Sequence, residues 1–140
     1  MSLRILIADD EQLARNELCF QLERLDDVEV VDQAADGLQA VSLAVSLSPD
    51  LVLLDVQMPG LTGFEVARQR LDQGVQTWVV FVTAFDQYAI EAFEVNAVDC
   101  LLKPVEPARL AQSIQRVRRN VTAYAEISGK PIANKELERI

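Results

Sequence analysis

The sequence predicts an α/β fold: five parallel strands in one open sheet, doubly wound, with helices on both faces. Three observations carry that expectation. Five strand-sized apolar runs alternate with five segments of helical period along a chain of 140 residues. Three of the runs, at 5–9, 51–55 and 78–83, are continuously apolar up to their last residue. Strands covered on both faces need that, whereas a half-solvated strand would alternate. The connections are short, which suits repeated βα units.

Each element follows in order. The first strand is expected at 4–9, and its helix carries Ala14, Leu18, Leu22 and Leu25 as one stripe. The second strand, 28–34, precedes a stripe of Leu38, Val41 and Val45. The third, 51–55, precedes Phe64, Ala67 and Leu71. The fourth, 77–83, precedes Ile90, Phe93 and Ala97. The fifth, 98–103, leads to Leu110, Ile114, Val117 and Val121, with Pro107 suited to a first helical turn. From Ala125 the pattern weakens, broken by Gly129, Pro131 and Asn134. The expectation is one domain over 1–124 and, over 125–140, a linker toward a further domain that this chain lacks.

With 50% hydrophobic and 25% charged residues, the composition is that of a globular domain, and 140 residues bury one core rather than two. No apolar stretch reaches the roughly 18 residues of a membrane span, and the first residues run into a strand without a leader pattern. Cys19 and Cys100 form no metal or disulfide pattern and read as small core hydrophobes in a reducing, cytoplasmic compartment. Residues 1–105 hold 18 acidic and 6 basic side chains, while 106–140 hold 4 and 7. A body so acidic repels nucleic acid. The basic stretch Arg116, Arg118 and Arg119 reads as a solvated helix face.

The chemistry gathers where strands end. Strand one finishes in Asp9, Asp10 and Glu11, strand three in Asp55, strand four in Thr83 and strand five in Lys103 and Pro104. Open α/β sheets bind ligands there, where strand order reverses. If the strands take the order 2-1-3-4-5 known from flavodoxin-like folds, strands one and three are neighbours, and Asp9 and Asp10 lie beside Asp55. Clustered carboxylates repel unless a cation resolves them, and Mg²⁺ takes such oxygens together with water and phosphate. Helix capping could account for one of the first two aspartates. It does not account for Asp55, Thr83 and Lys103 at three further strand ends. A carboxylate such as Asp55 is a competent nucleophile toward phosphorus, a lysine such as Lys103 is a compact countercharge, and the Thr83 hydroxyl can donate to a phosphoryl oxygen. Met58, Pro59, Gly60 and Gly63 mark a fixed turn after Asp55.

With Asp9-Asp10-Glu11, Asp55-Val56-Gln57-Met58-Pro59-Gly60, Thr83-Ala84 and Leu102-Lys103-Pro104 in order, residues 3–122 resemble the receiver domains of two-component response regulators. The resemblance implies phosphorylation of Asp55 by a sensor histidine kinase. It implies Mg²⁺ on Asp10, Asp55 and the Gln57 backbone carbonyl, with Asp9 acting through water. It implies a phosphoryl-contacting switch of Thr83, Ala84 and Lys103, and a cis peptide before Pro104. Such a domain is no turnover enzyme, since it catalyses only its own phosphorylation and dephosphorylation. The segments from Thr83 to Ala89 and from Ala92 to Asp99 further resemble the LytR/AlgR subfamily. That resemblance implies a C-terminal LytTR-type DNA-binding domain, transcription control, and a homodimer through helix four, strand five and helix five.

Two departures from the family pattern stand out. The position three before the lysine, often Tyr or Phe, is Cys100, so the switch must use Thr83 with other parts, such as Phe85 or Tyr88. Gln57 and Phe85 hold the two positions that tune phosphoryl lifetime. A bulky Phe85 hinders water, so the expectation is a phosphoryl group lasting many minutes or more. Leu110, Ile114, Val117, Val121 and Tyr124 also keep a coiled-coil spacing, with the last two expected to run beyond the sheet. Two other classes fit less well. A haloacid-dehalogenase-type phosphatase needs a second Asp where Gln57 stands, and an FMN binder needs a hydroxyl- and glycine-rich loop where Asp9-Asp10-Glu11 stands. A third class, a receiver that binds partners without phosphorylation, is argued against by the complete set of Asp55, Thr83 and Lys103.

Overall fold

A computed structural model describes residues 2–85 and 89–127. Asp86, Gln87 and Tyr88, the side chains of Ala89, Ile90 and Phe93, and most of the expected linker, from 128 on, lie outside the described residues. Ten elements alternate: β1 (Leu3–Ala8), α1 (Gln12–Glu23), β2 (Val28–Ala34), α2 (Gly37–Leu47), β3 (Leu51–Leu54), α3 (Gly63–Asp72), β4 (Trp78–Thr83), α4 (Ala89–Glu94), β5 (Asp99–Leu102) and α5 (Pro107–Ile127). The strands pair in parallel, as the apolar runs predict, and in the order β2-β1-β3-β4-β5 expected of a flavodoxin-like fold.

Side-chain alternation splits the core in two. Leu6, Ala8, Val52, Leu54, Val79 and Phe81 face α2, α3 and α4, where they meet Ala40, Ala44, Phe64, Ala67, Ala92 and Val95. Ile5, Ile7, Leu51, Leu53, Val80, Val82 and Leu101 face α1 and α5, against Leu18, Leu22, Leu110, Ile114 and Val117. The Phe64 and Phe81 rings meet at a centroid distance of 4.9 Å. Of the two residues expected to run beyond the sheet, Val121 instead packs against the second core, while Tyr124 is exposed.

Two stripes differ from expectation. On α2, Ala40 and Ala44 face inward, Leu38 and Val45 are exposed, and Val41 lies at the margin. The small alanines bring the helix close to the sheet, and Leu38 instead lies over the turn at Gly60. On α3 the buried face runs Gly63, Phe64, Val66, Ala67 and Arg70, leaving Leu71 exposed. A guanidinium on a long stem fills the position a leucine was expected to take. Cys19 and Cys100 are half-buried at the edges of the two cores rather than within them.

Helix starts are capped by side chains at α2, where Asp36 accepts from the Gln39 amide at 2.8 Å, and at α3. There Thr62 and Glu65 form a reciprocal capping box. At the opposite end of the sheet, arginines serve carbonyls that follow helices: Arg4 reaches Ser48, Arg118 reaches Asp26 and Asp27, and Arg70 reaches Val95. Such cations complement the negative ends of helix dipoles. Among the described residues no helix is long and apolar enough to cross a membrane.

Candidate functional site

Main-chain pairing carries one residue past the strand ends and aligns the site. The Asp9 amide donates to the Ala34 carbonyl at 3.0 Å, and the Asp55 amide to Ala8 at 2.9 Å. Asp9 and Asp55 therefore leave neighbouring strands side by side. Asp9, Asp10 and Asp55 each offer a carboxylate oxygen, all within 4.8 Å of one another. Asp9 and Asp55 are buried and Asp10 is exposed.

Lys103 enters from the end of β5. Its amide donates to the Thr83 carbonyl at 2.8 Å, continuing the β4–β5 ladder. Its ammonium lies 2.8 Å from Asp9 Oδ2, 3.4 Å from Asp55 Oδ2 and 3.6 Å from Glu11 Oε1. Asp9 Oδ2 is sealed from solvent and meets this ammonium as an ion pair without an aligned hydrogen bond. The Asp9 Oδ1 accepts from the Glu11 amide at 2.9 Å. The peptide between Lys103 and Pro104 is cis.

Electrostatics follow from this crowding. Burial, reinforced by the charge on Asp9, pushes the Asp55 carboxyl up to about 6, against the pull of Lys103 and the Gln57 amide. Burial works against the Lys103 charge, but Asp9 and Asp55 together outweigh it and hold its pKa above the ordinary lysine value. The donors present fit a hard divalent cation: three carboxylates, one exposed to solvent, with burial and mutual repulsion opposing the charge on Asp55.

The loop after β3 is shaped by close approach. A Cβ on Gly63 would lie 2.3 Å from the Asp55 carbonyl oxygen, and the Gly63 amide donates to the Val56 carbonyl at 2.8 Å. Gly60 has φ +82°, a left-handed turn that glycine adopts freely. Gln57 is exposed, and its amide donates to Asp55 Oδ1 at 3.4 Å. Thr83 is buried, its hydroxyl accepting from the Phe85 amide at 3.2 Å. Ala84 and Phe85 are exposed beside it.

Cys100 stands apart from the carboxylates. It pairs with Phe81 across the β4–β5 ladder and packs at the edge of the α2–α4 core, with burial raising its thiol pKa. Two residues at the site had no role assigned from sequence. Glu11 pairs with Lys103, and Arg15 donates to the Asp9 carbonyl at 2.8 Å and to Gln33 at 3.2 Å. Neither contact follows from a helical interval, since Glu11 precedes α1 and the Arg15 side chain bonds Asp9 and Gln33 rather than Glu11.

Comparison with known proteins settles the family. The profile of the response regulator receiver domain matches residues 5–115. The chain belongs to that family. An uncharacterized response regulatory protein of Vibrio parahaemolyticus is 46% identical to this receiver domain over 123 residues, 88% of this chain and 50% of the relative. The transcriptional regulatory protein BtsR of Salmonella typhi is 44% identical over 116 residues, 83% of this chain and 48% of the relative. Among solved structures, the receiver domain of AraT, a response regulator from Geobacillus stearothermophilus, aligns with a TM-score of 0.78. It is 30% identical and the match covers 89% of this chain and 98% of that one. The response regulatory domain of protein mrkE from Klebsiella pneumoniae gives 0.75 at 30% identity, covering 88% and 98%. The receiver domain spans about half the length of the curated relatives it matches.

Proposed function

We propose that this receiver domain takes a phosphoryl group onto Asp55 from a sensor histidine kinase and thereby controls an output domain. The observation that carries the reading is the meeting of Asp9, Asp10 and Asp55 oxygens within 4.8 Å, with the Lys103 ammonium 3.4 Å from Asp55. In the transfer, an Asp55 carboxylate oxygen attacks phosphorus and a P–O bond forms. The P–N bond of a phosphohistidine breaks, and its electron pair stays on the imidazole. Asp10, Asp55 and the Gln57 carbonyl would hold Mg²⁺, with Asp9 through water. When bound, the ion supplies charge neutralisation for the transferred group. Lys103 exchanges its pairing with Asp9 and Asp55 for a phosphoryl oxygen, and the Thr83 hydroxyl donates to another, with the small Ala84 leaving room.

Membership of the LytR/AlgR subfamily, a LytTR-type DNA-binding output domain, transcription control in the cytoplasm and a dimer through α4, β5 and α5 complete the proposal. The name of BtsR as a transcriptional regulator supports its transcriptional part, and the acidic receiver would leave DNA contact to the output domain. Without an aromatic at Cys100, the signal passes from Thr83 through Phe85 and α4.

Acetyl phosphate labelling tests the central claim. A mass increase of one phosphoryl group is expected on the parent chain with Mg²⁺, and none on Asp55→Asn or after chelation. Failure of the parent to label would restore the reading of a receiver that binds partners unphosphorylated.

A further inference from the structure

We propose that Arg15, aimed by Gln33, is a positioning residue for the metal site: it holds the peptide between Asp9 and Asp10 and so sets where the Asp10 carboxylate stands. The inference rests on the reading of Asp10 as a Mg²⁺ ligand and adds a residue outside the ligand set.

Asp9 and Asp10 follow the end of β1 together, yet they are held very differently. The Asp9 amide is fixed on the Ala34 carbonyl at 3.0 Å, its Oδ1 accepts from the Glu11 amide at 2.9 Å, and its Oδ2 meets Lys103 at 2.8 Å. Asp10 is exposed, and among the described residues no hydrogen bond or ion pair holds its carboxylate. Its place therefore depends on the main chain that carries it. One interaction fixes the peptide joining the two residues: Arg15 Nη1 donates to the Asp9 carbonyl at 2.8 Å. Among the described residues no other donor reaches that carbonyl.

Three elements meet at Arg15. It lies in the first turn of α1, where a cation opposes the helix dipole, so helix stability does not favour it there. Its amide donates to the Glu11 carbonyl at 3.1 Å, which anchors the stem. Its Nε donates to Gln33 Oε1 at 3.2 Å, which sets the plane of the guanidinium. Gln33 is held in turn by Cys19, one turn further along α1, its Nε2 donating to the sulfur at 3.4 Å. Gln33 and Ala34 are the last two residues of β2. The end of that strand thus holds the Asp9 amide directly and the Asp9 carbonyl through Arg15. A rigid guanidinium fork serves both acceptors at fixed angles, which a single ammonium does not.

Charge and position act with opposite sign here. A guanidinium near the site repels a divalent cation, so if only its charge mattered, removing it would tighten Mg²⁺ binding. If it serves by holding the peptide, removing it frees Asp10 to turn away, and binding weakens. Groups that orient metal ligands commonly change affinity by about tenfold or more.

Calorimetric titration of the full chain with Mg²⁺, with no phosphodonor present, reads that affinity. Arg15→Met should bind about tenfold more weakly than the parent, and Gln33→Leu, which alters no charge, about threefold more weakly. Arg15→Lys keeps one donor for the Asp9 carbonyl and should fall between the parent and Arg15→Met. Melting in chelator follows the fold separately; a merely structural role would lower that melting temperature and leave the affinity unchanged. Equal or tighter binding by Arg15→Met overturns the proposal. So does equal binding by Gln33→Leu, which decides the matter should Arg15→Met not fold. A parent chain that binds no Mg²⁺ would overturn the metal reading itself, and the proposal with it.

Discussion

Lys103 and Asp9 form the closest ion pair among the described residues, at 2.8 Å, with the ammonium 3.4 Å from Asp55. One lysine thus offsets two buried carboxylates. Replacing it with methionine leaves both without a countercharge, and at pH 7 in chelator this should cost roughly 1–3 kcal/mol, since the lysine is itself partly solvated. Urea denaturation measures it, and equal stability of variant and parent would contradict the assignment.

Asp55 should make the metal-free domain less stable as pH rises. Its carboxyl is pushed from an ordinary 3.8 to about 6, so the folded domain holds a proton that the unfolded chain releases. The stabilisation from this proton is complete below about pH 4 and lost as pH climbs through 6, a difference of roughly 2–3 kcal/mol. Asp55→Asn should flatten that part of the profile. Mg²⁺ should flatten it too, by favouring the charged carboxylate. Melting temperatures between pH 4 and 8 with chelator would show either result.

Asp99 works in the opposite sense. It gathers Arg109 at 3.0 Å, Ser113 at 2.6 Å and Arg116 at 3.1 Å, tying β5 to α5. Burial opposes its charge, but the bonds from Arg109 and Ser113 prevail and hold its pKa below the ordinary range. Its contribution is therefore present above the usual carboxylate pKa and lost as pH falls through the depressed one. Asp99→Ala should cost about 1–3 kcal/mol at pH 7. Arg116→Ala should cost far less, because that arginine is half-exposed. Denaturation of both variants side by side checks the ranking.

Gly63→Ala places a methyl group where the Asp55 carbonyl oxygen stands 2.3 Å away. Backbone cannot yield as a flexible side chain can, so a loss of about 1–3 kcal/mol is expected. Because the strained atom belongs to Asp55 itself, Mg²⁺ affinity should weaken as well, which calorimetric titration would measure. Unchanged affinity would show that the loop relaxes away from the carboxylates.

Phe85 is 42% exposed, and its amide is bonded to the Thr83 hydroxyl. If this ring hinders the attacking water, Phe85→Ala should shorten the phosphoryl half-life several-fold, followed by loss of the phosphorylated species on a phosphate-affinity gel. A half-life of seconds in the parent would defeat the expectation of a long-lived group.

Much of the fold was legible because strand burial on both faces leaves an unmistakable trace, as in the continuous runs ending at Asp9, Asp55 and Thr83. Helix faces were less so. Leu38, Val45 and Leu71 have the hydrophobicity of core residues, yet they are exposed, and Ala40, Ala44 and Arg70 take the inward positions. Periodicity defines a stripe only to within a residue or so, and close packing then selects by size rather than by hydropathy. The candidate site residues could be picked out because helix capping accounts for at most one of Asp9 and Asp10 and leaves Asp55, Thr83 and Lys103 at three further strand ends unexplained.

The sequence by itself determined the element order and the parallel sheet, and it put Asp9, Asp10, Asp55, Thr83 and Lys103 at strand ends as candidates, since these depend on local pattern and on where strands stop. Only the tertiary structure decided that Lys103 pairs more closely with Asp9 than with Asp55, that Gly63 abuts the Asp55 carbonyl, and that Arg70 is buried with a donor unused. Those are distances between residues far apart in the chain, fixed by how helices and loops settle on the sheet, and hydropathy and spacing carry no record of them.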